Sequence, residues 1–187
     1  MLDYRNRILA RADDRVAWLR ERSRGVSATE AARLSSEAAV RSVAREKLLG
    51  TGFSGNAYTE HGKQREPVIA RWVHAEHGIP ASNALFHASG QRLHMATPDG
   101  VAERAGRLEL AEIKTTSRPW RSIPRSYLRQ VWWQQYVLGA ERTLVVWEQH
   151  DDFVPVGPPQ ARWVDRDDNE IHVLIGLADR LLAMLAR

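Results

Sequence analysis

The order of apolar and polar positions divides the chain into a helical first half and a strand-rich second half. "RVAWLRER" follows the cap candidates Asp13 and Asp14 and stops before Gly25, as a short helix would. Ser27-Ala-Thr-Glu30 has the spacing of a capping box and opens a second helix through "TEAARLSS". Ser35 or Ser36 can cap a third, "EAAVRSVAREKLLG", with Ala39, Val40, Val43 and Leu48 apolar and Gly50 and Gly52 at its end. "GFSGNAYTEHG" reads as a loop. The next helix runs from near Lys63 to His77 on Ile69, Trp72 and Val73. Pro67 lies close to its start, where a missing N–H costs least.

Beyond His77 the texture changes to strands. "ALFHA" and "RLHMAT" flank Ser89-Gly90 as a hairpin. Pro98-Asp99-Gly100 is a turn, and "RLELAEIK" is the most strand-like segment of the chain. A helix, "RSYLRQVWWQQYVLG", starts after Pro124 and ends at Gly139, with Trp132 and Trp133 as core or subunit-contact aromatics. "RTLVVWEQH" is another strand, followed by a polar, Pro/Gly-rich connection. The last helix, "NEIHVLIGLADRLLAMLAR", carries a stripe of Ile171, Leu174, Ile175, Ala178, Leu182 and Leu185. This order predicts an α/β fold, with a central mixed β-sheet flanked by helices behind a helical N-terminal region. A crossover through residues 107–148 would make its two strands parallel.

At 187 residues the chain fits a single domain able to bury a core. No apolar run is long enough to span a bilayer, and "MLDYRNRILARADDR" carries acids and no signal-type apolar stretch. A cytoplasmic protein is the expectation. The absence of cysteine excludes disulfides, iron–sulfur clusters and thiolate zinc sites. Any metal must be held by carboxylates, carbonyls, histidines or water, which favours magnesium or manganese. His61, His74, His77, His87 and His94 show no compact ligand pattern and read as surface or structural.

Net charge is +4, unevenly spread: residues 1–65 hold 13 basic against 8 acidic side chains, the remainder 14 against 15. A polyanionic partner fits such a balance without being required by it. Of the 27 basic residues only Lys47, Lys63 and Lys114 are lysines. Lys47 and Lys63 read as surface residues, whereas Lys114 stands where a strand should be buried. A compact ammonium does there what a wide guanidinium fork does not.

That strand carries the chemistry. Residues two apart share a face, so Glu112 and Lys114 point the same way as Leu108 and Leu110, and Ala111, Ile113 and Glu109 point the other. A carboxylate and an ammonium at the end of a buried strand are costly unless they pair or bind something. An adjacent antiparallel strand would bring Asp99 beside Glu112. Two crowded carboxylates repel each other, and a divalent cation relieves that repulsion. Lys114 could then hold and help deprotonate an attacking water and stabilise charge on a phosphate. Downstream, Arg118, Arg121, Arg125 and Arg129 follow with Trp120 and Tyr127 between them and no acid, which suits contacts along a DNA backbone.

"PDG" followed by "LAEIKTT" resembles the signature of the PD-(D/E)XK nucleases. Three further stretches are similar to motifs of the lambda-exonuclease/YqaJ-type phage recombination exonucleases: "WLRERSRGVSATEAA", "GKQREPVIARW" and "YLRQVWWQQYVLG". The four occur in family order. The resemblance implies a PD-(D/E)XK core and a nuclease that digests linear double-stranded DNA from the 5′ end. It implies Mg2+ (or Mn2+) on Asp99, Glu112 and the Ile113 carbonyl, with Glu66 assisting. It also implies Lys114 on the water, Gln130 opposite the metal, and Arg22 and Thr29 on the 5′-phosphate. The start of a helix at Thr29 would favour an anion there as well. Arg118, Arg121 and Arg125 are expected on the DNA backbone. A homotrimer threaded by DNA and a single-strand annealing protein as partner belong to the same expectation.

One nuclease domain over residues 1–187 would then divide into a phosphate-gripping part (1–60), a catalytic core (61–150) and a C-terminal helix (151–187). The chain departs from the family at Gln130-Val-Trp132, where Gln-x-Gln is usual, and at Thr29, where Ser is usual; residues 140–187 carry no motif. An endonuclease with the same core would cut closed circular DNA. A non-catalytic DNA-binding recombination accessory protein would give no metal-dependent product.

Overall fold

A computed structural model describes residues 3–51 and 55–186. The chain opens with a 3-10 turn (Asp3–Arg7) and β1 (Ile8–Arg11), followed by α1 (Arg15–Ser23), α2 (Ala28–Ala31), α3 (Glu37–Leu49) and α4 (Ala57–His77). Capping decides where these helices start. The side chains of Asp14 and Ser36 accept from the amides of Ala17 and Ala39, and Gly50 ends α3 in the left-handed region at φ 63°.

Two helices differ from the sequence expectation. The helix after Ser27 lasts only from Ala28 to Ala31, one turn, so it offers little dipole to an anion. The fourth begins at Ala57 rather than near Lys63, because Asn56 caps it by accepting from the Thr59 amide at 3.1 Å. Pro67 therefore lies inside α4 rather than close to its start. Of the expected loop before α4, residues 52–54 lie outside the described residues.

The strands form two sheets. β1, β2 (Ala84–Ala88) and β3 (Gln91–Ala96) make an antiparallel three-stranded sheet. The central sheet is mixed: β4 (Gly100–Arg104) pairs antiparallel with β5 (Arg107–Thr116), and β5 pairs parallel with β6 (Arg142–Asp151). α5 (Arg125–Leu138) makes the crossover between β5 and β6. The expected polar connection after β6 contains β7 (Val154–Pro155) and β8 (Gln160–Asp165), both antiparallel to β6, before α6 (Asp168–Leu185).

The two faces of β5 bury different cores. Leu108 and Leu110 join Trp132 and Trp133 of α5 and Leu174 and Ala178 of α6, together with α3 and β2. Ala111 and Ile113 pack with Ile69 and Val73 of α4. On α6 the buried stripe is Ile171, Leu174, Leu177, Ala178 and Leu181; Ile175, Leu182 and Leu185 lie at its margin. Among the described residues no helix is long and apolar enough to cross a membrane.

Candidate active site

The Pro-Asp-Gly turn meets β5 because Gly100 sits opposite Ala111 with no room for a side chain. A Cβ on Gly100 would lie 2.9 Å from Ile79 Cγ2 and 3.0 Å from Ala111 Cβ. This close pairing carries Asp99 onto the strand. Its amide donates to the Ala111 carbonyl at 3.1 Å, and its Oδ2 accepts from the Ile113 amide at 2.6 Å.

Glu112, only 2% exposed, points to the α5 side. Its Oε1 accepts from Lys114 Nζ and from Gln130 Nε2, each at 2.5 Å, and its Oε2 accepts from Gln134 Nε2 at 2.6 Å. Gln130 and Gln134 are one helical turn apart, so both reach the same carboxylate. The Gln130 amide nitrogen is thus directed to Glu112. Gln134 was not anticipated; its i, i+4 spacing from Gln130 was the available signal. Lys114 Nζ also lies 5.0 Å from the centre of the Tyr127 ring.

The cluster is electrostatically tense. Burial first, then the charges of Glu112 and Glu66, hold the Asp99 carboxyl well above the usual carboxylate range. Burial and Glu112 likewise raise Glu66. Burial alone would lower Lys114, but Glu112 and Asp99 outweigh it and raise the ammonium above its ordinary value. In this arrangement Lys114 is a proton-bearing donor, which suits holding a water or a phosphate oxygen better than removing a proton.

Asp99, Glu112, Lys114 and Gln130 line a cleft of about 640 Å³ that Glu66 also borders. At its other end α1 contributes Arg22, whose guanidinium lies over the Trp18 ring at 4.9 Å. Arg22 Nη2 donates to Thr29 Oγ1 at 3.3 Å and lies 3.5 Å from Ser27 Oγ. Residues from α1, α2, α4, β5 and α5 thus share one cavity.

Other expected groups lie elsewhere. Arg118 and Arg121 are exposed on the loop after β5, which Trp120 anchors by stacking on Trp147 at 5.3 Å and meeting Tyr127 at 5.2 Å. Arg125 is paired with Glu170 and lies over the Trp132 ring, so internal contacts already occupy it. Arg129 donates to the Ala32 carbonyl at 2.8 Å. Glu109 pairs with Arg142 and Arg104 at the far end of β5. Lys47 is not a free surface residue, since its ammonium meets Glu30 at 2.5 Å. Lys63 is exposed and borders the cleft.

Among the described residues no group of three acid or histidine side chains is already set to hold a metal. The donor chemistry still fits a hard cation. Magnesium commonly binds through one or two carboxylates, keeps several waters and takes the rest from substrate phosphate. Asp99 and Glu112 provide two such carboxylates, crowded with Glu66; the charge of Glu112 is balanced by the Lys114 ammonium, and two glutamine amides donate to its oxygens.

Comparison with known proteins agrees with this architecture. The model of the YqaJ-like viral recombinase domain family matches residues 17–141. No curated protein matches the chain by sequence. The alkaline exonuclease LHK-Exo from Laribacter hongkongensis superposes with a TM-score of 0.70 and 22% identity, over 90% of this chain and 91% of that one. The structure of LHK-Exo in complex with dAMP gives 0.68 and 22% over the same shares. A phage related exonuclease from Haemophilus somnus 129PT gives 0.66 and 14%, over 86% of this chain and 93% of that one. At these identities the likeness is one of fold.

Proposed function

The chain belongs to the YqaJ-like viral recombinase domain family, and on that footing we propose that it is a metal-dependent exodeoxyribonuclease acting on double-stranded DNA from the 5′ end. One observation carries the reading. Asp99, Glu112 and Lys114 share a cleft with Arg22 and Thr29, so a phosphodiester at the acids and a terminal phosphate at the arginine fit one strand end.

Asp99 and Glu112, with the Ile113 carbonyl and Glu66, would hold magnesium or manganese, which supplies polarisation of the scissile phosphate and a more acidic attacking water. The protein's own groups do the rest. Gln130 and Gln134 fix the orientation of Glu112 from the α5 side. The Lys114 ammonium, which borders the cleft beside Glu112, is placed to donate beyond that carboxylate as well. It can donate to the water or to a phosphate oxygen as charge develops there. Tyr127 confines that ammonium on its other flank. Arg22 and Thr29 grip the terminal phosphate and so set which bond lies over the acids. Arg118 and Arg121 sit beyond Lys114 as contacts for the strand leading in.

The test is a 5′-labelled linear duplex against a covalently closed circle, with magnesium or with a chelator, for the wild type and Lys114→Ala. The expected result is magnesium-dependent release of label from the linear substrate, an intact circle, and a loss of at least ~100-fold in Lys114→Ala without loss of DNA binding. Cutting of the circle would indicate an endonuclease. Near-normal turnover in Lys114→Ala would remove that residue from the mechanism.

A further inference from the structure

The residues that present Thr29 are themselves held by a group outside the cleft. Between α1 and α2 the chain turns through Gly25, Val26 and Ser27. One side of this turn is fixed to β3: the Val26 amide donates to the Leu93 carbonyl at 2.7 Å, and the Met95 amide donates to the Val26 carbonyl at 2.8 Å. The other side is fixed by α3. Lys47 Nζ donates to the Gly25 carbonyl at 3.0 Å and to Glu30 Oε1 at 2.5 Å. The second oxygen of Glu30 accepts from both the amide and the hydroxyl of Ser27, at 2.8 and 2.9 Å. The neighbouring Glu46 ties α3 to the same segment through Arg33 at 2.6 Å. Lys47 and Glu30 are largely shielded from water, with side chains 16% and 20% exposed.

This network has two consequences for an anion in the cleft. The Ser27 hydroxyl hydrogen is directed to Glu30, so Ser27 faces Arg22 as an acceptor. Thr29, which accepts from Arg22, keeps its own hydrogen for a phosphate oxygen. The Glu30 carboxylate also lies directly behind the grip, where its charge would repel a phosphate dianion unless a cation balanced it. Lys47 supplies that cation.

We propose that Lys47 is a positioning residue that sets specificity for a terminal phosphate monoester. Through Glu30 it holds Ser27 and Thr29 in the orientation that takes the phosphate, and it cancels the repulsion that Glu30 would otherwise exert. This inference rests on the reading of Arg22 and Thr29 as the 5′-phosphate grip, and the experiment separates the two.

The measurement is kcat/KM on short linear duplexes bearing either a 5′-phosphate or a 5′-hydroxyl, with a thermal melt for each variant. In Lys47→Met the ratio of phosphate to hydroxyl ends should fall about tenfold, mainly through KM on phosphorylated ends. Adding Glu30→Gln should restore most of it, because the amide still accepts from Ser27 and no uncompensated charge remains. Should Lys47→Met not fold, Lys47→Gln keeps a donor for Gly25 without the charge and is read in the same way. A ratio unchanged in Lys47→Met but lost in Arg22→Ala would overturn the role of Lys47 and leave the grip standing. A fall in Lys47→Met that Glu30→Gln does not repair would reduce Lys47 to a fold contact and overturn the proposal. A ratio near one in the wild type would overturn the grip itself.

Discussion

At the scale of single residues the site is a problem of charge placed out of water. Asp99 is half-buried beside Glu112 and Glu66, and desolvation together with their charges raises its carboxyl well above the ordinary carboxylate range. The sign of the consequence follows from proton counting. Above the usual carboxylate pKa the unfolded chain has released this proton while the folded chain keeps it. The unfolded state then binds fewer protons, and stability falls as pH rises. In chelator-treated protein the melting temperature of the wild type relative to Asp99→Asn should therefore fall from about pH 5 to neutrality, a window set by ordinary carboxylate values; the comparison cancels the opposite slope from His61 and His94, whose lowered pKa values make stability rise with pH. A difference between wild type and Asp99→Asn that stays constant or rises over that interval would contradict the assignment of Asp99 as a strained acid.

Much of this site was legible in the sequence because strand periodicity is strict. Glu112 and Lys114 had to share a face, and a glycine turn had to lie beside them for Asp99 to reach β5. Gln134 was missed because it lies one turn beyond Gln130, and only the docking of α5 on the sheet shows that both reach Glu112. Lys47 was misread as a surface residue, since its partners Gly25 and Glu30 are remote in sequence and nothing local marks it as paired.

At the scale of elements the arrangement depends on close backbone approaches. Gly25 is the sharpest case. A Cβ there would lie 2.1 Å from the Leu93 carbonyl oxygen and 2.7 Å from Met95 Cε, so any side chain must lift the α1–α2 turn off β3. Gly25→Ala should destabilise the fold by about 2 kcal/mol in denaturant titration and lower the preference for 5′-phosphorylated ends together with it. Wild-type stability in this variant would mean that the turn is not seated as described. Strong caps and glycine stops placed α1, α3 and α5 within a residue or two of their sequence-read ends. The starts that failed did so for identifiable reasons. Asn56 outcompeted Pro67 as the beginning of α4, and β8 lies in a polar segment whose exposed side chains do not alternate like a half-buried strand.

At the scale of the whole molecule, α1, α2, α4, β5 and α5 meet at one cleft between a helical N-terminal region and a mixed sheet. The excess of positive charge in residues 1–65 belongs to the region that carries Arg22, which favours the approach of a polyanion from that side. The proposed function requires the crowded carboxylates of Asp99 and Glu112 to form a seat for a divalent cation. Titration of Mn2+ into the metal-free protein, read by calorimetry for the wild type, Asp99→Asn, Glu112→Gln and Lys114→Ala, tests this directly. Binding should be present in the wild type and in Lys114→Ala and lost in both acid variants. Undiminished binding in Asp99→Asn and Glu112→Gln would contradict it.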